Sequence, residues 1–374
     1  MALDAWLTLL QAAQQISTRA WLGALKLCGS AEALIAAPRR TLLEAGVAAD
    51  DIAKLDDPDS DTTSRWRAWL AEPNRTLVTF GSPAYPPRLA EIPDAPLALW
   101  VQGPDLELLS APQLAIVGSR SPTTSGRETA EQFARYLSER GLTITSGLAT
   151  GIDGASHRGA LAALGGTIAV LGGGLDAIFP RMHSALAAEI AARGLLVSEY
   201  APGVEPQRLF FPQRNRIIAG LSLGTLVVEA TRRSGSLITA GFAMDFGREV
   251  FAIPGSIHNP LARGCHHLIR QGAKLVEEAA DILVELAPLL RADGIALASP
   301  EPSAAAADAT PLKTDPSYQN LLNALGFSPT PIADLSARAN LTTAEVSSML
   351  LLLELEGLVE ALPGGRYSRL GKKN

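Results

Sequence analysis

Between residues 114 and 253 the sequence alternates short apolar runs, small-residue turns and helical stretches. No other feature limits the fold as much. Residues 114–117 lead into Gly118-Ser119-Arg120-Ser121 and an amphipathic stretch over 125–139 that stops at Arg140-Gly141. Residues 143–145 lead into Ser146-Gly147 and a helix near 152–164. Residues 167–171 lead into Gly172-Gly173-Gly174 and a helix near 182–193. Residues 195–199 open a long loop with a helix after Asn215. Residues 225–229 lead into Arg232-Arg233-Ser234-Gly235 and a helix near 236–246, and residues 249–253 end at Pro254-Gly255. Strands alternating with helices of this length predict an α/β fold with a doubly wound, mainly parallel sheet. Ligands of such folds bind outside the carboxyl ends of the strands, where these Gly- and Ser-rich turns fall.

The flanks read differently. Residues 1 to about 70 have helical periodicity, clearest in Ala20-Trp21-Leu22-Gly23-Ala24-Leu25-Lys26-Leu27, with short helices over 31–37 and 41–46. The segment is slightly acidic, which favours a packing module over a backbone-binding one. A turn-rich run, Gly81-Ser82-Pro83-Ala84-Tyr85-Pro86-Pro87, and a strand over 97–101 form the entry to the central domain. Residues 291–316 read as a linker, because 298–310 is Ala, Ser, Pro, Thr and acid without apolar period. Beyond it come helices over 318–325, 331–339 and 342–356 and a hairpin over 358–362 and 366–370, the order of a winged helix. Asn340-Leu341-Thr342-Thr343 offers an N-cap to the third helix. The expected domains are 1–73, 74–290 and 317–374, with 291–316 between the last two.

Net charge argues against a polyanion binder until it is divided by segment. The chain carries 32 Lys+Arg and 38 Asp+Glu, net −6, yet residues 111–275 hold 16 basic and 11 acidic residues. Fifteen of those 16 basic residues are arginine, the side chain suited to bidentate phosphate contact. All five histidines lie there too. A hydrophobic content of 47% allows a real core and argues against global disorder. Cys28 and Cys265 are too few for a disulfide framework or a zinc site. No apolar run reaches the roughly 18 residues of a membrane span. The N-terminus has no basic leader, so a soluble cytoplasmic protein is expected.

Four constellations carry chemistry. In Phe210-Phe211-Pro212-Gln213-Arg214-Asn215-Arg216, with Arg208 upstream, two aromatics adjoin an Arg-Asn-Arg triplet. Single-stranded nucleic acid needs this combination: bases stack on rings, and guanidiniums track phosphates. One of the two phenylalanines is expected to anchor on the core, and one arginine to pair with a carboxylate such as Glu229. Gly118-Ser119-Arg120 lets the backbone approach an anion and adds donors. Ser146-Gly147 through Asp153 puts donors at a helix start, with Asp153 and His157 at i, i+4; helix stabilisation is the favoured reading of that pair over acid–base or metal chemistry. Arg232, Ser234, Gly235 and Ser236 make a phosphate cradle at a helix opening. Gly172-Gly173-Gly174 gives weak support for a dinucleotide fingerprint, since position 177 is Ala. His266-His267 point about 100° apart on a helix and do not share a metal easily. No Walker A motif is present.

Together these segments resemble the DNA-processing protein A family (DprA, also called Smf). The resemblance is carried by Ile116-Val117-Gly118-Ser119-Arg120, Ser146-Gly147-Leu148-Ala149-Thr150-Gly151-Ile152-Asp153 and Leu196-Val197-Ser198-Glu199-Tyr200. It continues through Phe211-Pro212-Gln213-Arg214-Asn215-Arg216-Ile217-Ile218-Ala219 and Ser234-Gly235-Ser236-Leu237-Ile238-Thr239-Ala240, spanning roughly residues 75–290. It implies a Rossmann-like central domain, an N-terminal all-α module like a sterile-alpha-motif (SAM) domain, and a C-terminal winged helix. It further implies a bacterial cytoplasmic protein, without enzymatic activity, cofactor or metal. Such a protein binds incoming single-stranded DNA in natural transformation, protects it, and loads the RecA recombinase. By the family's pattern Gly118, Ser119 and Arg120 contact phosphate, Arg208 sits where Lys or Arg contacts the strand, and Phe211 stacks on a base. Arg214, Asn215 and Arg216 line the same groove, to which Ser146, Gly147, Arg232, Ser234, Gly235 and Ser236 are added. The resemblance also implies a homodimer through the Rossmann-like domain.

Two rival readings differ in class. The central fold is similar to lysine-decarboxylase-like phosphoribohydrolases, which act on nucleotides through P-G-G-x-G-T-x-x-E. Here the stretch is Leu221-Ser222-Leu223-Gly224-Thr225-Leu226-Val227-Val228-Glu229, without the Pro-Gly-Gly and with Glu one residue later. On a strand that shift moves the carboxylate to the opposite face. A duplex-reading regulator is the other rival. The third helix of the winged helix carries Glu345, Glu354 and Glu356, and a recognition helix needs positive charge. A protein-docking or accessory role is expected for this domain.

Overall fold

The computed structural model describes residues 2–13, 18–163, 165–294, 316–326 and 328–370. The chain divides into two compact units, Met1–Ser121 with Ala130–Ala298, and Pro122–Thr129 with Ser299–Asn374. The linker expected over 291–316 lies almost wholly outside the described residues.

The first unit is built on a nine-stranded sheet: β1 (Arg75–Thr79), β2 (Ala98–Gln102), β3 (Gln113–Val117), β4 (Thr143–Ser146), β5 (Thr167–Val170), β6 (Leu195–Ser198), β7 (Gly224–Val227), β8 (Glu249–Ala252) and β9 (Lys274–Leu275). Their spatial order is β1-β2-β6-β5-β4-β3-β7-β8-β9. The strands from β6 to β9 pair in parallel, with Ile116 opposite Leu226 and Thr145 opposite Ile168. The edge strands β1 and β2 are antiparallel, so the expected mainly parallel sheet is present. The chain steps outward from β3 to β6, then returns to lay β7 against the other side of β3. That reversal makes the carboxyl ends of β3 and β7 the switch point of the sheet, where such folds open a crevice.

Alternation across β3 shows why this sheet is covered on both faces. Leu114 and Ile116 join one apolar cluster, Ala115 and Val117 the other, as the two-residue period of a strand requires. The first cluster is closed by α8 (Thr124–Glu139), α9 (Ile152–Leu161) and α14 (Ala279–Ala292). Ala130, Ala134 and Leu137 supply the inward face of α8. The second is closed by α11 (Phe210–Leu221), α12 (Ser236–Asp245) and α13 (Arg263–Arg270). α10 (Ser184–Arg193) covers Ala169 and Leu196.

Among the described residues six helices precede the sheet: α1 (Ala2–Ala12), α2 (Thr18–Cys28), α3 (Ala31–Ile35), α4 (Arg39–Glu44), α5 (Ala49–Ala53) and α6 (Ser60–Leu70); α7 (Pro87–Ala90) follows β1. Trp66 and Trp69 of α6 meet Trp100 of β2 edge-on at 5.4 and 5.6 Å. Helical residues and sheet residues share one apolar cluster, from Leu9 and Trp21 to Leu99 and Val197. The helical segment and the sheet are therefore one unit. Among the described residues, no helix is long and apolar enough to cross a membrane.

The second unit contains α15 (Pro316–Leu325), α16 (Ile332–Ala339) and α17 (Thr343–Leu355), with β10 (Thr330–Pro331), β11 (Val359–Leu362) and β12 (Arg366–Arg369). The small sheet has the order β10-β12-β11. Asn340 ends α16 in the left-handed region. Thr342 caps α17 in a reciprocal box with Glu345. Leu321, Leu325, Leu335, Val346, Leu350 and Leu353 close the core.

Candidate nucleic-acid interface

The carboxyl ends of β5, β4, β3 and β7 are successive neighbours, about 4.8 Å apart from strand to strand. After β3, Ser119 is half-exposed and Arg120 exposed. The Ile152 N–H donates to the Ser119 carbonyl at 3.1 Å, fixing the loop to the start of α9. Gly118 is needed for packing: a Cβ there would stand 2.6 Å from Ile152 Cγ1 and 3.0 Å from the Glu229 carbonyl. After β7, Arg232 and Gly235 are exposed and Ser234 half-exposed. The Ser234 and Ser236 hydroxyls lie 2.7 Å apart, and Ser236 is buried. Asn215 donates from Nδ2 to the Gly235 carbonyl at 3.4 Å, joining α11 to this loop.

α11 starts at Phe210, ahead of the helix expected after Asn215. Pro212 is its third residue, and proline is tolerated in a first turn because the N–H groups there have no helical acceptor. The earlier start sets the helical phase. Phe210, Arg214, Ile217, Ile218 and Leu221 share the buried face. Phe210 stacks on Tyr200 with centroids 4.1 Å apart, so it is the phenylalanine that anchors on the core. Phe211 stands half-exposed over Gly172, where a Cβ would approach its Cδ1 to 3.1 Å. Its ring meets Phe179 at 5.4 Å, tilted by 44°. Phe179 is 52% exposed, and the sequence reading missed it. The available signal was an aromatic placed just after the glycine-rich turn of β5. Arg208 is exposed upstream of the helix.

Five of the expected site residues are buried or committed to partners within the fold: Ser146, Gly147, Arg214 and Ser236 are buried, and Arg216 is ion-paired. Arg214 is 4% exposed and donates to the carbonyls of Gly147 (2.7 Å) and Val170. Burial pushes its guanidinium down to about 10, against the pull of Asp153. Gly147 is buried beneath it, and a Cβ at Gly147 would lie 2.5 Å from the guanidinium. Ser146 is fully buried and donates to the Ile116 carbonyl at 2.6 Å. Arg216 makes a bidentate pair with Glu199 at 2.6 and 2.8 Å, each side chain 11% exposed, and also donates to the Asp94 carbonyl. The carboxylate that takes Arg216 is thus Glu199. Glu229 is buried two residues beyond the end of β7, so the opposite-face argument, which holds within a strand, does not apply to it.

Asp153 and His157 serve separate contacts. The Asp153 carboxylate accepts the N–H groups of Gly147 and Ala149; burial raises its pKa and Arg214 counters. Thr167 Oγ1 donates to the Ile144 carbonyl at 2.6 Å. His157 Nδ1, 2.8 Å from that oxygen, must therefore be the donor. Burial pushes the imidazole down from 6.5 to about 3. The unfolded chain then binds this proton more readily than the folded one, so the associated stability is full above pH 6.5 and is lost as pH falls toward 3. Urea midpoints at pH 7 and pH 4.5 are expected to differ clearly in the native protein and less in His157→Asn, which keeps an N–H donor and cannot charge. Among the described residues, no group of three His, Cys, Asp or Glu could hold a metal.

The family described as DNA recombination-mediator protein A matches residues 76–287, more than half of the chain, and a DprA winged helix domain matches 301–365. The chain belongs to the DprA/Smf family. Protein Smf of Escherichia coli K12 is 47% identical over 303 residues, covering 81% of this chain and 79% of that one. DNA processing protein DprA of Streptococcus pneumoniae is 51% identical over 201 residues, covering 54% of this chain and 71% of that one. The X-ray structure of the Streptococcus pneumoniae protein aligns with a TM-score of 0.67 at 38% identity, over 74% of this chain and 95% of that one. A DNA processing protein A structure from Helicobacter pylori, described for its single-stranded DNA binding mode, aligns with a TM-score of 0.51 at 29% identity, over 57% and 96%. This DprA/Smf chain thus has a Rossmann-like sheet unit and a winged helix. Of the expected site residues, Arg120, Arg208, Arg232 and Gly235 are exposed, and Gly118, Ser119, Phe211, Asn215, Arg216 and Ser234 are partly buried.

Proposed function

We propose that this chain binds single-stranded DNA without sequence preference across the carboxyl ends of β5, β4, β3 and β7, and delivers it to RecA during natural transformation. The observation that carries this reading is the pairing of an aromatic platform, exposed Phe179 and half-exposed Phe211, with exposed arginines on neighbouring loops, Arg120 and Arg232. Rings take the bases and guanidiniums the phosphates. The single-stranded DNA binding mode described for the Helicobacter pylori protein supports it, as does the family description of a recombination mediator. The protein acts in the cytoplasm by binding rather than catalysis. Two copies pair through the Rossmann-like unit, a reading that the open sheet edge at β9 and exposed Leu275 and Val284 beside it fit.

The test is anisotropy of labelled single strands of several sequences. Arg120→Ala is expected to weaken all of them alike and to reduce the slope of log affinity against log salt by about one. Unchanged affinity in both Arg120→Ala and Arg232→Ala would sink the proposed path.

A further inference from the structure

The outer face of α17 is unlike that of a helix that enters a DNA groove. The helix buries Val346, Leu350 and Leu353, yet Leu351, Leu352 and Leu355 are 59%, 43% and 77% exposed. No Lys or Arg occurs from Thr343 to Leu355. A helix apolar on both sides is ordinarily covered on both sides, and three leucines within about two turns form a contiguous patch of the kind that marks an interaction site.

The charges beside the patch restrict what covers it. Glu345 is used in the capping box. Glu354 and the C-cap Glu356 stand at the end where the helix dipole is already negative, with no basic residue in the last turn. Among the described residues neither carboxylate has an ion-pair partner. They lower the stability of the helix that carries them, and a cation from outside would offset both carboxylates and dipole. Phosphates are repelled by this arrangement. A second copy of the same face would set the carboxylates against their own counterparts.

We propose that the third helix of the winged-helix unit is a docking face for a basic amphipathic segment of another protein. That segment lays leucine-like side chains on Leu351, Leu352 and Leu355 and sets Lys or Arg against Glu354 and Glu356. This goes beyond the single-strand site, which lies in the other unit.

The test uses the full chain and two peptides of about 18 residues, long enough to hold a helix, with the same leucine pattern and either lysine or glutamate elsewhere. Binding is read by anisotropy, and its location by hydrogen exchange over 343–356. The Leu/Lys peptide is expected to bind at least about tenfold more tightly than the Leu/Glu peptide and to protect 343–356. Leu351→Ser with Leu355→Ser, at exposed positions, should remove most of that affinity. Glu354→Lys with Glu356→Lys should reverse the preference between peptides. Peptide binding unaffected by either pair, or protection elsewhere, would overturn the proposal. So would protection of 343–356 by duplex DNA, or by self-association that Leu351→Ser abolishes.

Discussion

Arg214→Met is expected to cost about 3–5 kcal/mol of folding stability, the usual penalty for leaving a buried charge without its partner. The guanidinium is 4% exposed, holds the carbonyls ending β4 and β5 together, and faces the buried Asp153. Methionine fills the volume, so the loss reports charge and hydrogen bonds rather than a cavity. Asp153→Asn keeps an oxygen for the Gly147 and Ala149 N–H groups while removing the charge. The double variant should therefore be more stable than the sum of the single losses predicts, by at least about 1 kcal/mol. Urea unfolding of the four proteins measures this. A near-native Arg214→Met that has lost DNA binding would return Arg214 to the interface.

Phe211→Ala is expected to weaken single-strand binding by about 1–3 kcal/mol, roughly 5- to 150-fold, as a base loses its platform. Because Phe179 meets the same ring at 5.4 Å, Phe179→Ala should lose a similar amount, and the pair should lose less than the sum. Titration of each variant with oligonucleotides of differing sequence measures both effects. A loss below a few tenths of a kcal/mol for both would make the two rings a local packing pair.

The sheet was legible where a parallel strand ends in a small-residue turn, as β3, β4 and β5 do. Residues 114–117, 143–145 and 167–171 lie within one residue of the strands found at each end. β9 escaped because two residues carry no period, and β1 because its burial is partial and a turn-rich run follows it. The site was legible as a set of segments but not as a set of side chains. Phe-Phe-Pro read as loop, which left the phase of α11 open, and that phase decides which arginine faces inward. Arg214 and Arg216 find their partners at Gly147, Val170, Asp94 and Glu199. Nothing in the Arg-Asn-Arg triplet announces acceptors so far away along the chain. Net charge misled in the same way: −6 overall conceals exposed arginines at the strand ends.

The most direct measurement compares single-stranded and duplex DNA of the same sequence, titrated with the full chain across salt concentrations. The single strand is expected to bind more tightly, with log affinity falling linearly as log salt rises through counterion release. Equal or tighter binding of the duplex, or an affinity independent of salt, would contradict that expectation.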